Sequence, residues 1–175
     1  NNHHGKLISI FFSNAKSLWF MSEKQKKIYE NKFNFLKKSN SFVLSSVFDT
    51  KTLDILRNLK ENKDNKWVIL NSPSWIKNVA GCIEHAKNNN LPYELVWGLE
   101  YSELLSKLSK SRGLIFLPLD SDTCPRVVIE AKLLDCELNI NENVLHKDEE
   151  WFCGSKEKML DYLSSNADFF WEKLN

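Results

Sequence analysis

Between residues 67 and 140, short apolar runs alternate with stretches of helical periodicity, and this alternation limits the possible folds more than any other feature of the chain. The run WVIL at 67–70 leads into Ser72, Pro73 and Ser74, a turn signal, and then into Ile76, Val79, Ala80, Ile83 and Ala86 at helical spacing. Asn88, Asn89 and Asn90 end that helix. YELVW at 93–97, closed by Gly98, predicts a second strand, and 101–108 a second helix. GLIFLPL at 113–119 predicts a third strand, apolar on both alternating faces. The helix DTCPRVVIEAKLL follows, then CELNI at 136–140 as a fourth strand, and a helix over 159–174 closes the chain. Units of this kind join parallel strands by right-handed crossovers, with helices laid on the sheet. A continuously apolar strand fits burial on both sides. The predicted fold is therefore α/β, a Rossmann-like parallel sheet with helices on both faces. Such sheets bind ligands outside the carboxyl ends of their strands, which singles out three loops: 71–77, 98–100 and 120–126.

Upstream the pattern is less regular. Residues 7–12 are apolar and fit a strand or a helix. LWFM at 18–21 reads as a buried strand, Ser22 as the N-cap of a lysine-rich helix over 23–35, and SFVLSSV at 41–47 as another short strand. Asp49 or Thr50 starts a polar segment reaching Lys66, with Leu53, Ile55, Leu56 and Leu59 at helical spacing. A length of 175 residues suits one domain, or one domain and part of another. An apolar fraction of 42% with six tryptophans supports a packed core and excludes a disordered chain. No apolar run approaches the length of a membrane span, and no secretory signal is recognised; residues 1–5 (NNHHG) read as a tag remnant or native chain. Cys82, Cys124, Cys136 and Cys153 form no CxxC pair and no metal-ligand spacing, which points to free buried thiols and a cytoplasmic location.

Charge is unevenly distributed. Residues 1–66 carry 13 Lys+Arg against 6 Asp+Glu, a balance of +7, and residues 67–175 carry 11 against 17, a balance of −6. A basic N-terminal third can draw the chain to anionic lipid, peripheral to the inner membrane, or to an acidic partner; solvated lysine-rich helix faces account for the same count. Nucleic acid is not expected as a partner, because the aromatic residues of this stretch sit in apolar runs and do not alternate with the basic ones.

The loop after the third strand holds the densest chemistry. Asp122 lies just ahead of a helix, and Glu130 eight positions on lies within it. Pro125 fits the first turn, where a missing N–H costs nothing. Glu130 then sits roughly 8 Å along the axis from Pro125, at about 1.5 Å per residue. Between the two acids lie the free N–H groups of the helix start, with Arg126 as a forked cation beside them. Such a constellation suits a ligand with sugar hydroxyls at one end, diphosphate in the middle and ribose at the other. On spacing alone, a helix cap and a surface glutamate explain the two acids as well.

The stretch LIFLPLDSDTCPRVVIEAKLLDCELNI closely resembles the corresponding segment of GT-B-fold glycosyltransferases of the group 1 type, family four. In that family a strand ending in Pro-Ser is followed by an E-x7-E motif and an Ala-rich helix. Here Pro118–Leu119 takes the Pro-Ser place, Asp122-x7-Glu130 the place of the motif, and Glu130–Ala131 matches its Glu-Ala pair. SPSWIKNVAGCIEHA looks like the family's first loop and helix, where a Lys-Gly pair grips the diphosphate, with Lys77 in the lysine's place. FMSEKQKKIYENKF and SFVLSSVFD resemble the end of the N-terminal domain and its crossing into the donor-binding domain. The resemblance implies the C-terminal half of a GT-B fold: a tail of the first domain and the crossing over 1–50, and a Rossmann-like nucleotide-sugar-binding domain over 51–175. It implies that Asp122 contacts the donor sugar, that Glu130 contacts the ribose, and that the backbone of Thr123, Cys124 and Pro125 meets the phosphates together with Lys77 and Arg126. The implied activity is transfer of a hexose, with retention, from a UDP- or GDP-sugar to a carbohydrate or lipid-linked acceptor of a surface polysaccharide or glycoconjugate, with no metal and no cofactor besides the donor. The chain departs from the pattern at Asp122, one methylene shorter than Glu, at Thr123–Cys124–Pro125 in place of a Gly-rich stretch, at Asn78 in place of glycine, and in the short segment from Trp97 to Tyr101. No acceptor domain and no catalytic residue is recognised, so the isolated chain is expected to bind donor without turning it over.

Other features have plainer readings. Lys77 also fits a surface lysine, and Cys124, at a helix start where a thiol can be acidified, lacks a nearby His or Asn partner in sequence. His146 reads as an exposed loop histidine, and a ligand or acceptor contact stands beside that reading. Asp148, Glu149 and Glu150 fit the first turn of a helix that ends at Trp151–Phe152. Trp75 and Trp97 fit core packing or a base pocket. The competing functional class is a non-catalytic Rossmann-like interaction or regulatory domain.

Overall fold

The computed structural model describes residues 2–174, and the side chains of residues 5–174. Of the first five residues, read from sequence as a tag remnant or native chain, only the first lies outside that description. Four strands form one parallel sheet: β3 (Trp67–Leu70), β4 (Tyr93–Val96), β5 (Gly113–Phe116) and β6 (Glu137–Ile140), in the order β4-β3-β5-β6. Trp67 is level with Tyr93 on one side and Gly113 on the other, and Gly113 with Glu137. Gly113 is required at that crossing point: a Cβ there would lie 2.5 Å from both the Glu137 carbonyl oxygen and the Trp67 ring.

Alternation along the strands sorts the core into two layers. Val68, Val96, Leu114 and Phe116 face α3 (Thr50–Asn58), α5 (Tyr101–Lys110), α6 (Arg126–Leu133), the short α7 (Glu150–Cys153) and α8 (Lys156–Leu174). Trp67, Ile69 and Ile115 face α4 (Val79–Asn88) through Cys82 and Ala86. Helices thus cover both faces, as the alternation predicts. Helix α6 is buried at Val128, Ile129, Glu130, Ala131 and Leu133, so it runs through the interior and its one buried acid must be satisfied there.

Residues 2–43 make a smaller unit with a core of its own around Leu18, Phe20 and Leu36. β1 (Leu18–Phe20) and β2 (Ser41–Val43) pair in parallel as a separate two-stranded sheet. They are joined by α2 (Glu23–Lys32) and a 3-10 turn, Asn34–Lys38, and preceded by α1 (Asn2–Asn14), which resolves 7–12 as helix. Ser22 caps α2 by accepting from the Gln25 N–H at 3.0 Å, while the Gln25 amide oxygen accepts from the Met21 N–H at 2.7 Å. Among its contacts with the rest of the molecule are a hydrogen bond at the start of α2 and an aromatic cluster on β1. The Glu149 carboxylate accepts from the Glu23 N–H at 2.7 Å, and Phe169 and Phe170 of α8 pack on Trp19 with ring centroids 6.1 and 5.0 Å away. Strand β5 is shorter than its apolar run, ending at Phe116 ahead of Pro118, which has no N–H for a ladder.

Candidate functional site

Strand order reverses between β3 and β5, so the crevice outside their carboxyl ends is the switch point of the sheet. The loop after β3 holds Lys77 at the end of a 3-10 turn, Trp75–Lys77. Asn78 follows with φ 51° and ψ 48°, in the left-handed region that Asn tolerates better than other residues with a side chain. Its amide oxygen accepts from the Gly81 N–H at 3.2 Å, capping α4, and its amide nitrogen donates to the Leu117 carbonyl at 2.8 Å. Gly81 leaves room for that cap, since a Cβ there would sit 2.4 Å from the Asn78 amide nitrogen. The Leu119 N–H donates to the Ile76 carbonyl at 2.9 Å and joins the two loops directly.

The loop after β5 is held from its other side by residues 141–146. The Asp122 N–H donates to Asn143 O at 2.8 Å, and the Leu145 N–H donates to Asp122 O at 3.0 Å, a one-residue parallel bridge. Asn141 and Asn143 both donate their side-chain amides to Pro118 O, at 2.9 and 2.8 Å. These residues position the loop, and sequence reasoning missed them: asparagines after a last strand look like ordinary turn residues, and their common acceptor is more than 20 positions away.

With both loops fixed, Lys77 Nζ meets Asp122 Oδ2 at 2.5 Å, the side chains being 28% and 14% exposed. Lys77 also stands 5.0 Å over the Phe116 ring. Glu130 is 3% exposed; the Tyr101 hydroxyl donates to its Oε1 at 2.9 Å and Arg126 Nε lies 3.5 Å from the same oxygen. Both of these contacts fall on Oε1. Burial pushes the Glu130 carboxyl up, against the pull of Tyr101 and Arg126, and burial followed by the Glu130 charge pushes the Tyr101 phenol well up, so it remains a neutral donor. The Arg126 guanidinium stacks 4.3 Å over Phe48 and is 6.0 Å from the Tyr101 ring.

The remaining residues singled out from the sequence have different surroundings. Pro125 occupies the N-cap position of α6, and among the described residues no side chain caps that helix start. The Thr123 hydroxyl contacts Met21 Sδ at 3.4 Å. Cys124 is buried with its sulfur 3.5 Å from Ser46 Oγ, and burial pushes its thiol up to about 11, which makes it an inert thiol at neutral pH. Cys82 and Cys136 are also buried, whereas Cys153 is exposed and departs from the expectation of four buried thiols. His146 is the plainest correction: expected on an exposed loop, it has 0% exposure, between Trp151 and Phe152, because the 141–146 segment folds back under the loop of Asp122. Trp75 and Trp97, expected in the core, are 69% and 61% exposed, since both follow strand ends where the sheet no longer covers them.

Beside Lys77, between the ends of β3 and β4, lies a mostly apolar cavity of about 320 Å³ lined by Leu70, Ser72, Val96, Trp97, Leu99 and Leu104. A larger one, about 500 Å³, lies at the opposite end of the strands among Arg57, Lys60, Asp135, Lys156, Glu157 and Asp161. Its cations and acids are balanced and it is remote from the switch point. Among the described residues no group of three or more His, Cys, Asp or Glu side chains is placed to hold a metal ion, and no helix is long and apolar enough to cross a membrane.

No protein-family model matches the chain, and no curated protein matches it. Among solved structures the chain is similar to a chain of the crystal structure of the GtfA/B complex, with a TM-score of 0.56 and 12% identity. The match covers 98% of this chain and 41% of the other, so this chain spans less than half the length of that structural relative. At this identity the likeness defines the class of fold: an α/β architecture with a parallel Rossmann-like sheet.

Proposed function

We propose that this chain is the donor-binding part of a glycosyltransferase and that the crevice between β3 and β5 takes a nucleotide-sugar. The observation that supports this reading is the Lys77–Asp122 pair in the loops after β3 and β5, where such a sheet binds ligands, with Glu130 buried on the helix that follows. Glu130 Oε2 accepts from the ribose hydroxyls, the α6 start and Lys77 hold the diphosphate, and Asp122 reaches the sugar. The apolar cavity beside Lys77 offers a surface for the base. The likeness to a chain of the GtfA/B complex supports a glycosyltransferase-like fold. Transfer of a hexose with retention, to a carbohydrate or lipid-linked acceptor near the inner membrane, belongs to the same proposal.

Calorimetric titration with UDP, GDP, ADP and their sugar conjugates tests it. Glu130→Gln should weaken both the free diphosphate and its conjugate about tenfold, because a charge-assisted bond contributes about 1.5–3 kcal/mol. Lys77→Ala should weaken both in a salt-dependent way. Unchanged nucleotide affinity in Glu130→Gln overturns the clamp.

One observation favours a second reading, a non-catalytic interaction domain that keeps the scaffold. Both acids already have protein cations beside them, Lys77 for Asp122 and Arg126 for Glu130. Under that reading no nucleotide binds at millimolar concentration.

A further inference from the structure

We propose that the Lys77–Asp122 ion pair is a selectivity device that, within the nucleotide-sugar reading on which it rests, favours a nucleotide still carrying its sugar over the bare nucleoside diphosphate. Lys77 Nζ and Asp122 Oδ2 are 2.5 Å apart, and among the described residues Lys77 is the sole ion-pair partner of Asp122. The acid cannot easily follow its partner or retreat to water. Its backbone is pinned on both sides, N–H to Asn143 and carbonyl to Leu145, and its side chain is mostly buried. The lysine is equally constrained by the Asn78 cap and by the Phe116 ring beneath it.

A diphosphate that reaches Lys77 competes with Asp122 for the same ammonium group. Once it succeeds, Asp122 is left largely desolvated, short of a partner and beside a second anion. A bare nucleoside diphosphate presents only acceptors at that end and cannot relieve this. A sugar conjugate presents hydroxyl donors, and Asp122 can exchange its lysine for them, since an ionised carboxylate is an acceptor only. The sugar is therefore needed to make displacement of the ion pair favourable, and the spent diphosphate is released in favour of a fresh donor.

The consequence runs against the simpler expectation that Asp122 matters only to the sugar. Removing its charge should tighten the bare diphosphate. The test is calorimetric titration of UDP and UDP-glucose, with GDP and GDP-mannose in parallel, against the parent chain, Asp122→Asn and Asp122→Ala, each checked for folding by thermal melting. The parent should bind a conjugate about tenfold tighter than its diphosphate, one charge-assisted hydrogen bond of difference. Either variant should tighten the diphosphate and weaken the conjugate, bringing the ratio near one; the alanine variant serves if the asparagine variant does not fold. A ratio unchanged in the variants, or a parent that binds the two ligands equally, overturns the selectivity role while leaving the nucleotide-sugar reading intact. Failure of all four ligands to bind the parent overturns that reading as well.

Discussion

Glu130 and His146 are two ionisable side chains buried at the same end of the molecule, and the chain accommodates them in opposite ways. Glu130 is met by a phenol and a guanidinium, both directed at one carboxylate oxygen. Among the described residues His146 has no hydrogen-bond partner on either ring nitrogen; it stacks on Trp151 at 5.7 Å and 12° and meets Phe152 edge-on at 4.7 Å. Burial raises the carboxyl of the first, and burial together with the charge of Lys132 lowers the imidazole of the second to about 4. Glu130 keeps a polar, hydrogen-bonded identity, whereas His146 serves at neutral pH as an uncharged aromatic plate. Burial alone therefore does not decide whether such a group keeps a polar role in the fold; the arrangement of partners around it does.

The comparison is broken most decisively by acid. The folded pKa of His146 is depressed below its ordinary 6.5, so its stabilising contribution is complete above pH 6.5 and is lost as pH falls toward 4. The shift from 6.5 to about 4 corresponds to a loss of about 3 kcal/mol across that window. Urea unfolding at stepped pH should show it, and His146→Phe should flatten the slope. A slope equally steep in that variant would assign the acid sensitivity elsewhere.

Glu130 should act with the opposite sign. Its folded carboxyl is raised above 4.5, so its contribution is complete below pH 4.5 and declines as pH rises through the folded value. Tyr101→Phe removes one donor and should cost about 1 kcal/mol at neutral pH. It also lifts the carboxyl further and extends the declining window upward, which a shift of the carboxyl titration in an NMR series would report. Glu130→Gln should cost less than about 1 kcal/mol, because an amide oxygen can still accept from Tyr101 and Arg126 is half exposed. In the same unfolding series it should steepen the positive slope left by His146. If Glu130→Gln instead flattens that slope, the assignment of the two groups is reversed.

The sheet was legible in the sequence because its signals are local. WVIL, YELVW and GLIFLPL carry their strand character in consecutive residues, and Ser22 and Asp49 cap their helices through neighbours three positions away. Helix α6 was legible for the same reason, though the burial of its Glu130 was not, since the spacing fits a surface glutamate equally well; the parallel order follows from alternation under the handedness of crossovers. Boundaries were less so: β5 stops at Phe116 and α8 begins at Lys156, where backbone pairing and packing decide.

By itself, then, the sequence determined the parallel α/β architecture, the crevice outside the carboxyl ends of its strands, and the residue types of the loops there. Only the tertiary structure decided which charges meet. Lys77 and Asp122 are 45 residues apart, Tyr101 and Glu130 are 29 apart, and Asn143 reaches back 25 positions to Pro118. No periodicity within a helix or strand encodes such pairs, because each depends on where a crossover returns the chain. The same return placed His146 under the Asp122 loop and left Trp75 and Trp97 in solvent. Periodicity records how an element faces its own neighbours, and contact across the sheet is set by the packing of elements that the local pattern does not see.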